Sequence, residues 1–260
     1  MKNKDIKHNN PKKGVSTTKL IFRLNPTYIF LHALNMNQEK EPFPGWGSFT
    51  NKIWEEDPGL FYFLAGAPEY IFYLSAHKSR TQFARQADNK LKAIEKTPEY
   101  QQLIRETKTY LLFVQKQWEQ KGGKALSLLR EISGHSLSKQ TMIVYLTHPK
   151  LKNGMALDKN IIAWGHPEDF KNYTIVYLCH ELMHILTNLD KSDVAHAVIE
   201  LMTDNEIRIK LNKKGKYFEN QGHPNLRNLE RKILPDWKDY LKKKDKDIFN
   251  FINQMKEKWG

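Results

Sequence analysis

The chain of 260 residues has a single cysteine, Cys179. No disulfide can form within it, and a cysteine-rich zinc ribbon is excluded. Long apolar runs are also missing. The most apolar region, 59–74, is interrupted by Pro68 and Glu69, so no segment has the length of a membrane span. The basic N-terminus is followed by a stretch, 20–34, that Arg23, Asn25 and Pro26 break up, with no small-residue cleavage site. A cytoplasmic protein is the default expectation. Internal repeats are absent. Acidic residues are scarce relative to basic ones, 29 against 42, for a net charge of +13. That excess could attract nucleic acid, but the lysines are scattered, and the densest cluster, Lys242-Lys243-Lys244, lies between Asp239 and Asp245.

What is present is concentrated in one pentapeptide, His180-Glu181-Leu182-Met183-His184. Two histidines four apart on a helix share a face, about one turn from each other. Neutral imidazoles so placed can hold one Zn²⁺ at ~2.0–2.1 Å. Glu181 stands between them as a candidate base for a water. The flanks, Tyr177-Leu178-Cys179 and Ile185-Leu186, are uncharged, so the helix reads as buried. Burying two histidines and a glutamate is costly unless something pairs with them. Cys179 reads as a small core residue.

A catalytic zinc needs a third protein ligand. Glu200 is the first choice. Ser192 reads as an N-cap and Gly215 as a stop, which predicts a helix over 193–212. If the preceding helix ends near Asn188, the returning helix brings Glu200 back opposite the two histidines. Asp204, one turn on, could orient a ligand histidine through its outer nitrogen. Asp190 and His196 are rivals for the third position. Thr187, however, occupies the turn where a ligand at 190 would want glycine. His196 reads as a supporting or surface residue. For an oxyanion donor the candidates are His223, in the Gln221-Gly222-His223-Pro224 loop, and Tyr217.

With His180-Glu181-x-x-His184 followed by Glu200-x-x-x-Asp204, residues 140–225 resemble the zincin metallopeptidases, specifically the thermolysin-like gluzincin group in a compact, peptidase MA-like form. The resemblance implies that His180, His184 and Glu200 bind Zn²⁺, that Glu181 is the catalytic base, and that Asp204 orients a histidine. It implies a zinc-dependent metallopeptidase acting on a peptide or protein substrate. The alternatives are a zincin-fold zinc-binding regulator without turnover, and a basic nucleic-acid-associated protein in which the motif is incidental.

The expected fold is α+β, a zincin-like core with a small mixed sheet and the HExxH helix, plus a mainly helical N-terminal part. The divisions are a disordered basic tail at 1–14, a mainly helical region at 15–135, the core at 136–235 and a C-terminal helix at 236–260. Residues 141–147 and 160–165 are β-branched and apolar and read as strands, with a loop around Asn153-Gly154 between them. The strand at 160–165 is the expected peptide-binding edge. Gly165 and Pro167 mark a change to helix, with Glu168 and Asp169 in its first turn. Residues 17–24 alternate weakly as a strand. Residues 42–60 read as loop, from Pro42, Pro44, Gly45, Gly47 and Pro58. A helix is predicted over 97–120, stopped by Gly122-Gly123, and one or two over 225–258, broken at Pro235.

Overall fold

The computed structural model describes residues 18–35, 41–66, 89–135, 140–219 and 222–260. The proposed tail at 1–14 and part of the first helical region lie outside the described residues.

Four strands form one mixed sheet: β1 (Lys19–Arg23), β2 (Thr141–Leu146), β3 (Asn153–Asp158) and β4 (Ile161–Gly165), in the order β1-β2-β4-β3. β1, β2 and β4 are parallel, and β3 runs antiparallel along one edge. The strands expected near the N-terminus and at 141–147 are present. The expected edge is not where the sequence placed it. β4 is an interior strand, and the stretch around Asn153-Gly154, expected as a loop, is the edge strand. Two contacts account for this. Asn153 is buried and its amide donates to the Tyr28 hydroxyl at 3.4 Å. Gly154 lies where a Cβ would come within 3.0 Å of the Trp164 ring, so its missing side chain lets β3 close on β4.

Helices cover the rest. The first three are α1 (Pro26–Asn35), α2 (Trp46–Glu56) and α3 (Pro58–Gly66). Residues 42–60, expected as loop, are therefore mostly helix. Their prolines and glycines act as punctuation: Gly45 takes the left-handed N-cap position at φ 91°, and Pro58 opens α3. α4 (Pro98–Ser133) starts where expected, with the Thr97 hydroxyl accepting from the Tyr100 amide. It does not stop at Gly122-Gly123. Gly122 is buried against the Trp118 ring, 2.6 Å from where a Cβ would be, and the helix runs on to a left-handed Gly134. Packing has overridden the propensity cost of two glycines.

α4 joins two apolar clusters. Its first turns place Tyr100 and Leu103 in a cluster with Phe30, Trp46 and Leu64. Its later turns place Val114, Leu129 and Ile132 in the main core, under the sheet and against α5 (Tyr173–Leu186). α5 carries the HExxH motif. It begins later than expected, so Glu168 and Asp169 lie before it. Glu168 caps it from outside, accepting from the Thr174 amide at 3.0 Å.

The helix expected over 193–212 is continuous but not uniform. It consists of α6 (Asp193–Glu200), a π-helical segment (Leu201–Ile207) and α7 (Arg208–Asn212). Ser192 is the N-cap, as read. The stop is Lys213, left-handed at φ 57°, two residues before Gly215. The C-terminal part is α8 (Arg227–Lys242) and α9 (Ile248–Trp259). The break falls after Lys242, where Asp247 caps α9, and not at Pro235. Pro235 and Arg231 are exposed, so water can serve the Arg231 carbonyl that the proline leaves without a donor.

Candidate metal centre

α5 is buried along nearly its whole length, and the turn after it sets the geometry of the site. The Thr187 hydroxyl donates to the carbonyls of Met183 and His184, ending the helix. Asn188 and Leu189 both take left-handed backbone, at φ 55° and 57°, and the Leu189 amide returns to the His184 carbonyl at 2.8 Å. The chain thus reverses within a few residues into α6, which packs against α5.

The reversal brings three histidines together. His180 and His184 meet through their Nε2 atoms at 3.1 Å. His196, from the second turn of α6, completes a group with them in which one ligand nitrogen from each residue lies within 4.8 Å of the others. Glu200 is one turn further along. Its carboxylate belongs to a separate group with His196 and His223, and it lies 3.7 Å from His196 Nε2. Glu200, the expected third ligand, thus lies next to this group and shares His196 with it, while among the described residues His196 is the side chain grouped directly with the HExxH histidines.

Glu200 is fully buried and otherwise occupied. Both of its oxygens accept from the His223 amide, at 2.8 and 3.0 Å, and Oε1 bonds His223 Nδ1. Gly222 makes this possible. A Cβ there would fall 1.9 Å from Glu200 Oε2, and its φ of 76° suits glycine. Asp190, the other rival, is also committed. It accepts from the Ser192 amide at 3.0 Å and pairs with Lys256.

Asp204 lies beside the first histidine of the motif. Its Oδ1 lies 3.1 Å from His180 Nδ1 and accepts from the Thr203 hydroxyl at 2.9 Å. Its other oxygen has no hydrogen-bond partner among the described residues. The π-helical turn is held by side chains: the Asn205 amide donates to the Glu200 carbonyl at 3.1 Å, and its oxygen accepts from the Phe218 amide at 2.7 Å. Widened turns of this type often occur at functional sites.

Burial decides the protonation pattern. It opposes charge on His180, but Asp204, with Glu181 and Glu200, outweighs it and raises that ring to about 9. Burial and the neighbouring His180 lower His184 to about 4. Burial and the other histidines lower His196 to about 3. Two of the three rings are thus held neutral, the form that binds metal. Glu181 is buried and its carboxyl is raised, mainly by burial, with His180 and the Ala156 backbone pulling the other way. The hydrogen bond to Glu200 raises His223.

A cleft of about 470 Å³ opens over these groups. Gly154 to Leu157 of β3 form one wall, and Leu189 to Lys191 line it beyond the histidines. His223 lines it too. Tyr217 does not. Its hydroxyl bonds Glu206 and accepts from Trp237 Nε1 at 3.1 Å, which ties it to the core beneath α8. One buried group was not anticipated. Glu230 of α8 lies beside Glu200, and burial and that charge raise its carboxyl to about 8. On an amphipathic helix a glutamate reads as exposed, so no pattern marks it. His196 did carry a signal, one turn from Glu200 and on the same face.

No family model, curated protein or solved structure matches this chain.

Proposed function

We propose that this protein is a zinc-dependent peptidase of zincin type whose ligands are His180, His184 and His196. The observation that carries the reading is the convergence of these three ring nitrogens, from two helices, beside a buried Glu181. The donor set suits zinc: three imidazoles, two held neutral, with Asp204 fixing the outer nitrogen of the third. The histidine in third position departs from the gluzincin pattern, so the kinship is with the broader zincin group. An antiparallel edge strand beside the HExxH helix also supports it.

Bound there, zinc would supply Lewis acidity, polarising a carbonyl and acidifying a water. The chain's own groups then divide the work. Glu181, with its carboxyl raised, takes the water's proton and can return it to the leaving amine. Asp204 holds the His180 ring in one tautomer. With Nδ1 committed to Glu200, His223 has Nε2 left to donate to a substrate oxygen. β3 has β4 on one side, and its other side can pair with an extended peptide.

The test joins metal content with cleavage. The wild type should carry about one zinc per chain and cleave members of a peptide library, and a chelator should abolish the cleavage. Glu181→Gln should keep the metal and lose about 10²–10⁴ in kcat. Undiminished cleavage by that variant would remove Glu181 from the base role. Absence of zinc from reconstituted wild type would remove the whole reading.

A further inference from the structure

Three features of the cleft are not used by the chemistry above. Met155 on the edge strand is about half exposed, at 47%. Leu189 lines the cleft from left-handed backbone that leucine adopts only under constraint. Lys191 lines the same side, is exposed, and makes no ion pair among the described residues.

The charges around Lys191 leave it uncompensated. Asp190, its neighbour, is neutralised by Lys256 and holds the Ser192 amide. Asp193, two residues on, lines a different depression with Ser192 and Trp259. Glu181 is buried on the floor and bonded to the Ala156 backbone. The lysine therefore faces the cleft with no carboxylate among the described residues paired to it. Its position is close to the chemistry. The Leu189 amide is bonded to the carbonyl of His184, and two residues of chain reach about 7 Å from there. A flexible four-carbon stem extends that reach along a bound peptide.

Resting on the peptidase reading, we infer that Lys191 is a specificity-determining residue that binds a substrate carboxylate within one or two residues of the scissile bond. The carboxylate has two possible sources, an acidic side chain or the C-terminus of the peptide. A glutamate or aspartate source makes the enzyme an endopeptidase for acidic sequences. A terminal source makes it a trimming enzyme.

Internally quenched peptides in matched pairs separate these sources. In one set, glutamate replaces glutamine at each of the two positions on either side of the cleaved bond. In the other, a free C-terminal carboxylate replaces an amide. The wild type should favour the carboxylate member of one set by about threefold to tenfold in kcat/KM, the range of a partly exposed ion pair. The preference should shrink at 0.5 M salt. Lys191→Gln should bring the ratio to about one, and Lys191→Glu should invert it. Melting curves check that these exposed substitutions leave the fold intact. Chelator-sensitive cleavage with no carboxylate preference in either set overturns this inference alone. A preference that Lys191→Gln leaves unchanged also overturns it. No chelator-sensitive cleavage of any peptide overturns the peptidase reading and the inference together.

Discussion

Replacing His196 and Glu200 in turn by alanine separates the two possible third ligands. They lie one helical turn apart, and their carboxylate and imidazole approach to 3.7 Å. Zinc bound by four protein ligands contributes roughly 10–16 kcal/mol, so one ligand is worth about 2.5–4 kcal/mol. His196→Ala should therefore weaken zinc binding by two to three orders of magnitude. Among the described residues, Glu200 approaches the set at His196 and acts on His180 through its charge. Its loss should resemble that of an outer partner, about tenfold to 100-fold. Glu200→Ala should instead register in stability. The His223 amide and Nδ1 lose their acceptor, at a cost of about 1–3 kcal/mol. Relief of Glu230, whose carboxyl is raised to about 8 partly by Glu200, offsets some of that cost. Zinc affinity is read by competition with a chelator of known affinity, and stability by denaturant unfolding of the metal-free proteins. If Glu200→Ala loses zinc affinity as fully as His196→Ala, the assignment of His196 over Glu200 is wrong.

Other outcomes follow from single contacts. Asp204→Asn should lower zinc affinity about tenfold to 100-fold, because His180 loses the carboxylate that orients it; unchanged affinity in chelator competition refutes that role. Gly222→Ala should lower the melting temperature and loosen the loop at 223, since the added methyl falls 1.9 Å from Glu200 Oε2; an unaltered melt would mean that the loop does not sit on Glu200. His148 gives a pH test away from the histidine cluster. Burial lowers it, against the pull of Glu106, so the unfolded chain takes up its proton first, near 6.5. Its contribution to stability is present above 6.5 and is lost as the pH falls towards the lower folded value. Unfolding free energies measured from pH 7 to 5 should fall less in His148→Gln than in the wild type, and parallel curves would refute this.

Local sequence rules carried a large share of this protein. The spacing of His180 and His184 is a property of one helix, and nothing distant can separate two residues four apart on the same buried face. The strand at 141–146, the start of the helix near Thr97, the Ser192 cap and the placing of Asp204 beside His180 were legible for similar reasons. Each depends on a few neighbouring residues. The glycines and prolines of 42–60 and the pair at 122–123 misled because the same residues mark helix ends in one context and close packing in another.

The third member of the histidine cluster and the identity of the edge strand were decided only by tertiary structure. His196 and Glu200 are a single turn apart, about 5.4 Å along one helix. Which of them reaches the HExxH histidines depends on where the reversal at 187–192 delivers α6. That reversal runs through left-handed Asn188 and Leu189; asparagine tolerates that backbone, but nothing about leucine announces it. The edge depends on β3 folding back onto β4, through Gly154 against Trp164 and Asn153 against Tyr28. The Asn153–Tyr28 contact joins positions 125 residues apart. Periodicity reports which face of an element is buried, but not which element lies against it. The HExxH pair is therefore written in the sequence, and the histidine that joins it in the packing of α5 against α6.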